Sequence, residues 1–166
     1  MTETGQVKSA VVERLEAAGL TAISAFEEER MRRHASSAVV VGVRQMRIEQ
    51  MGLIDYLGEI CEADGSHTEI YGREMKLQLS VDVYTPRELG AGESERTAEA
   101  AAQALMAALP GGLQIEELSW GETAWDKKCG MFLLPGTAHC AAQFTARAEE
   151  DSAVLRDFIL RGVIRA

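Results

Sequence analysis

Apolar and polar residues alternate most cleanly between Lys76 and Tyr84. Leu77, Leu79, Val81 and Val83 take the odd positions, and Lys76, Gln78, Ser80, Asp82 and Tyr84 take the even ones. Period two predicts a strand with one buried and one wetter face. Pro86 ends it, because proline has no N–H for a ladder. A loop with Gly90 and Gly92 follows, and the period then changes. Ser94 stands where an N-cap belongs, Glu95 falls in the first turn, and an alanine-rich segment runs to Leu109. Alanine favours helix, and Ala98, Ala101, Ala102, Leu105 and Leu109 form one stripe. Pro110-Gly111-Gly112 predicts its stop.

Further elements follow by the same logic. Val7, Ala10, Val11, Leu15 and Ala18 share a helical face over residues 7–18, closed by Gly19. Residues 21–26 predict a short strand and 27–37 a charged, solvated loop. Residues 38–49 predict a second clear strand, where Val39, Val41 and Val43 alternate before Met46 and Ile48 take the other parity. A parity change inside a strand implies a bulge, with Gly42 as its candidate site. The apolar run at its start predicts cover on both faces.

Residues 51–75 have no single period. Ala63-Asp64-Gly65-Ser66 is a turn signal, and 68–75 can extend the central strand backwards into a projecting hairpin, with Gly58 and Gly72 as facing bends. Residues 113–120, 131–134 and 139–147 predict strands, with a loop at 121–130, a turn at Pro135-Gly136 and a hairpin turn at 149–152. Residues 154–164 fit a helix or a strand; the β-branched residues favour a strand paired with 139–147. The whole, residues 1–166, is expected to be a single α+β domain: a mostly antiparallel or mixed sheet, two helices packed on one face, and 51–75 as an extended hairpin or loop insertion.

Charge and composition narrow the partners. Seventeen Lys and Arg against 26 Asp and Glu give a net charge of −9. Nucleic acid is therefore not expected as the main partner, since phosphate contacts draw on clustered Lys and Arg. No apolar run reaches the ~18 residues of a membrane helix, and the N-terminus has no signal-peptide pattern, so no membrane partner is expected. Cys61, Cys129 and Cys140 are odd in number and lack CxxC spacing, which suits free thiols in a reducing compartment.

The chemistry on offer is sparse. No phosphate loop, dinucleotide fingerprint, HExxH helix or nucleophile elbow is present. Cys140 with His67 or His139 is the best catalytic pairing available, but Cys140 occupies an apolar strand position and His139 points the other way. Cys129, His139 and Cys140 match no zinc spacing. Glu116-Glu117 and Glu149-Glu150 read as solvated edge and turn residues rather than an acid/base pair. Neither catalytic residues, metal ligands nor a cofactor are expected. Of Trp120 and Trp125, one is expected to anchor the core and the other to lie exposed. Candidate subunit-interface residues are Trp125, Tyr71, Arg73 and Tyr84 around the central strand, and Glu28, Arg30 and Arg32 in the charged loop, where mixed signs could pair between identical subunits.

The order of elements resembles a known family. A leading helix, two strands, a long strand ending Val83-Tyr84-Thr85-Pro86, an alanine-rich helix ending Leu109-Pro110-Gly111-Gly112 and closing strands are similar to the tail terminators of long-tailed bacteriophages and prophages, the tail-completion or minor tail protein U-like family. Tyr56-Leu57-Gly58, Glu69-Ile70-Tyr71-Gly72-Arg73 and Asp157-Phe158-Ile159-Leu160-Arg161-Gly162 resemble stretches in proteins of such structural gene clusters. The resemblance implies a ring homo-oligomer, a hexamer, at the head-proximal end of the tail tube. It implies tail tube and neck proteins as partners, and a place in the virion tail after assembly in the bacterial host cytoplasm. The alternatives are a neck or head-closure adaptor of the same particle, and a small enzyme or ligand-binding domain using Cys140 and His139.

Overall fold

The computed structural model describes residues 3–27, 31–50, 55–107, 109, 113–149 and 158–159. Strand β4, His67–Pro86, is the axis of a mixed nine-stranded sheet. Along one side of it runs β2, Ala38–Gln50, followed by β3, Tyr56–Cys61, both antiparallel to β4. Along the other side run β7, Met131–Leu134, and β8, Gly136–Glu149. Outside these lie β1, Thr21–Ile23, parallel to β2; β5, Gln114–Trp120, and β9, Phe158–Ile159, on β8; and β6, Ala124–Asp126, on β7.

Helices α1, Glu3–Ala17, and α2, Gly92–Leu105, cover one face. Val7, Val11 and Leu15 of α1 and Ala98, Ala101, Ala104 and Leu105 of α2 pack on Val39, Val41, Leu77, Leu79, Val81, Val83, Ala138 and Cys140. The period-two positions thus form the main core. Alanines let α2 lie close to the strands, and glutamates Glu93 and Glu95 sit at its positive end. The opposite face carries a smaller core of Met31, Ala38, Val40, Tyr84, Cys129 and Met131. The start of β2 is therefore buried on both faces, as its apolar run predicts.

Several expectations need correction. Ser94 is not the N-cap: α2 begins two residues earlier, and its buried hydroxyl donates to Thr85 Oγ1 at 2.9 Å. Thr85 Oγ1 also lies 3.1 Å from Ser37 Oγ, so three hydroxyls tie the entry to β2, the end of β4 and the start of α2. Ala102 is only half-buried and Ala104 takes its place in the stripe. Leu109 reaches the core from beyond the helix end at Leu105. Helix α1 starts earlier than residue 7, and β1 stops at Ile23. The loop at 121–130 contains β6.

Pro135 is not a turn. Val83 faces Leu134 and Ser80 faces Thr137, so the register against β4 is unchanged on either side of it. The chain passes straight on, with the ladder opened for the one residue that has no N–H. Side chains fill the gap. Gly136 N–H donates to Asp82 Oδ1 at 2.9 Å, and Trp120 Nε1 donates to the Val81 carbonyl at 3.3 Å. The bulge in β2 falls at Arg44, between Val43 and Gln45, and not at Gly42. Gly58 faces Ile70 rather than Gly72. The predicted stop at 110–112 and most of the turn at 149–152 lie outside the described residues. Of the last segment, Phe158–Ile159 is a strand, paired with Thr145 and Ala146 as expected.

Candidate assembly surface

The helices cover only part of the sheet. Beyond Gly42 and Val43, β2 becomes exposed from Arg44 to Ile48, and β3 is exposed along nearly all its length. The distal parts of β2, β4 and β8, with β3, make a ribbon that projects past the helices. Hairpin β3–β4 closes it at Ala63-Asp64-Gly65-Ser66, where Gly65 has φ +86° and Asp64 Oδ1 accepts from both the Ser66 amide and hydroxyl. Those hydrogen bonds hold the Asp64 carboxyl below its usual range.

Five large apolar side chains lie exposed on the ribbon's β2–β3 margin: Met46, Ile48, Tyr56, Leu57 and Ile60, Met46 being 48% accessible. The other exposed large apolar side chains among the described residues are Phe26, Leu89, Met106 and Trp125. By their facing residues Met46, Ile48 and Tyr56 share one side of the sheet with Leu77, Met75 and Tyr71, while Ile60 faces Thr68 on the other side, so this margin exposes apolar side chains on both faces. Met46 faces Leu77 and Ile48 faces Met75, so the bulge at Arg44 is what brings these two onto the apolar face of the sheet. The parity change is the sequence signal for them. Leu57 and Ile60 carried no periodic signal and were missed as candidates.

Charged side chains lace the ribbon. Arg73 donates to Asp55 Oδ2 through Nε at 2.9 Å and through Nη2 at 2.6 Å; His67 Nδ1 lies 2.6 Å from Glu59 Oε1. Arg47 Nε lies 2.7 Å from Glu49 Oε1, and Lys76 reaches Glu49 and Glu74. Hydrogen bonding to Asp55 raises the Arg73 pKa, and the Coulombic pull of Glu74 raises that of Lys76. The Tyr71 hydroxyl donates to Glu69, which pushes its pKa up, and its ring meets Tyr56 edge-on at 5.6 Å.

The sequence candidates therefore separate. Tyr71 and Arg73 belong to the ribbon. Tyr84 does not offer a surface: it is 8% exposed, packs its ring 5.0 Å from Phe26, and burial pushes its pKa to about 12. Trp125 is 41% exposed, meets Phe132 edge-on at 5.1 Å and has the Arg87 guanidinium 6.0 Å from its ring. Trp120 is the half-buried anchor packed on the main core. Arg32 is exposed and donates to the Lys128 carbonyl, so it braces the small core rather than standing in a bare loop. Glu28 and Arg30 lie outside the described residues.

The chemical candidates also separate. Cys140 faces Leu77 on the apolar side of β8, and desolvation pushes its thiol to about 12. His139, one residue earlier, belongs to the opposite face. Cys129 is buried in the small core, where desolvation first and Asp126 second push its thiol to about 11. Neither thiol is held as a thiolate, the form a nucleophile or metal ligand needs. No helix among the described residues is long and apolar enough to cross a membrane. No family model and no curated protein sequence matches the chain.

Proposed function

We propose that this protein is a structural component of a long-tailed bacteriophage or prophage particle: a tail terminator. It assembles as a ring on the head-proximal end of the tail tube, stops tube growth and presents a surface to the neck. The observation that carries this reading is the ribbon. A sheet extending past its helices with Met46, Ile48, Tyr56, Leu57 and Ile60 exposed on one margin is built to be covered by protein. The order of elements supports it, because helix, paired strands, long central strand, alanine-rich helix and closing strands follow the expected layout. The work is done by shape: copies dock on one another and on the tube, and no bond is made or broken.

The test uses tail tubes polymerised from the tube protein of the same particle. Added protein is expected to bind one tube end and arrest elongation. Binding to the portal and not to the tube assigns it to the neck instead, and binding to neither overturns the reading.

A further inference from the structure

We propose that the outer edge of β3 takes up an extended segment of the tube protein as an added strand, a segment with basic side chains among apolar ones. The inference rests on the terminator reading above and names its contact with the tube. Strand β3 pairs with β4 on one side, and no strand among the described residues pairs with its other side. Unpaired strand edges are templates for another chain.

The turn fixes which backbone groups face outward. Gly65 N–H donates to the Glu62 carbonyl at 3.0 Å, and Glu62 N–H donates to the Ser66 carbonyl at 2.8 Å, so Glu62 and Ser66 are a hydrogen-bonded pair. Such pairs alternate along an antiparallel ladder. Cys61 faces His67, Ile60 faces Thr68 and Glu59 faces Glu69, without a break in register. Ile60 therefore exchanges its hydrogen bonds with Thr68. Glu59 and Cys61 turn their N–H and C=O groups away from β4, toward the open edge. An incoming strand meets two donors and two acceptors there, at the spacing an antiparallel partner matches.

This edge is also unguarded. Short length, outward charge, lysine and proline ordinarily keep strand edges apart. Strands β1 and β6 are three residues long, and β5 exposes Glu116 and Glu117. Strand β3 has six residues and neither lysine nor proline, and its bulge lies before Glu59. Its one carboxylate, Glu59, is drawn to His67 of β4 at 2.6 Å. Tyr56 and Ile60 are exposed on opposite faces, so an added strand covers apolar surface on both. Charge selects the occupant. Asp64 accepts from the Ser66 amide and hydroxyl, and Glu69 accepts from the Tyr71 hydroxyl. These partners are neutral and leave both negative charges uncompensated, while Arg73 is taken up by Asp55. Two copies brought edge to edge set these carboxylates against their equivalents, whereas a segment carrying Lys or Arg is attracted.

Amide hydrogen exchange on the wild-type protein tests it. The Glu59 and Cys61 amides are expected to exchange fast in the free protein and about tenfold or more slowly with tubes bound, while Ile60 changes little. Cys61→Pro removes an outward donor that Cys61→Ser keeps. The proline variant is expected to bind tubes about tenfold more weakly than the serine variant, and urea unfolding checks that both keep the fold. A short peptide alternating valine and lysine is expected to compete with tubes, and one alternating valine and glutamate is not. Unchanged exchange at Glu59 and Cys61 on bound tubes, equal binding by the two folded Cys61 variants, or equal competition by both peptides overturns the edge pairing while the terminator reading stands. Protection of the same amides by self-association without tubes gives the edge to a second copy and overturns it too. Wild type that binds no tube overturns both.

Discussion

Gly136 and Gly42 show how differently two glycines can be fixed. A Cβ at Gly136 would stand 2.3 Å from the Val81 carbonyl oxygen and 2.5 Å from Trp120 Nε1, and the backbone of the central strand cannot yield. A Cβ at Gly42 would meet Ser80 Oγ at 2.6 Å, a small hydroxyl that can rotate. Gly136→Ala is expected to cost about 2–3 kcal/mol in urea unfolding and Gly42→Ala clearly less. Equal costs would contradict the gap-filling role assigned to Trp120 and Gly136. Cys140 gives a pH signature. Its thiol, pushed from 9.0 to about 12, keeps a proton in the folded state that the unfolded chain releases. Stability from this group is complete below about pH 9 and falls as pH rises toward 12. Cys140→Ala is expected to flatten part of that alkaline decline, measured as urea midpoints across the range. An unchanged slope would mean that Cys140 is not the group responsible.

At the scale of elements, the alternating strand 76–84 was legible because its period matches its one-sided burial under two helices. Helix α2 was legible in kind but not in its start. Ser94 looks like a cap by residue type, yet the sheet end offers its hydroxyl a buried partner in Thr85. Pro135 was misread because proline next to glycine suggests a turn, whereas a long central strand can hold both pieces in register. The back core was invisible, since Met31 sits in a charged segment without periodicity. The ribbon was legible through the extension of 68–75. Its exposed Leu57 and Ile60 were not, because an edge strand with one neighbour needs no fixed alternation. Leu57→Ser with Ile60→Ser is expected to leave the urea midpoint nearly unchanged and to lower tube binding. By contrast, Leu79→Ala, fully buried under the helices, should cost about 3 kcal/mol. A large stability loss from the Leu57/Ile60 pair would make them core residues instead of contact residues.

For the whole molecule, these parts assign separate duties. The helix-covered block gives stability, and the ribbon reaches beyond it with exposed apolar side chains that the proposed function assigns to the tube. A net charge of −9 per copy opposes association, so the contacts must be specific enough to overcome general repulsion. Self-association is the claim on which the rest stands, and light scattering on the purified chain over a range of concentrations measures it directly. The account predicts one discrete species whose mass is a multiple of 18.1 kDa, with six as the expected number of copies. A constant 18.1 kDa at every concentration, alone and with tube protein present, would contradict it.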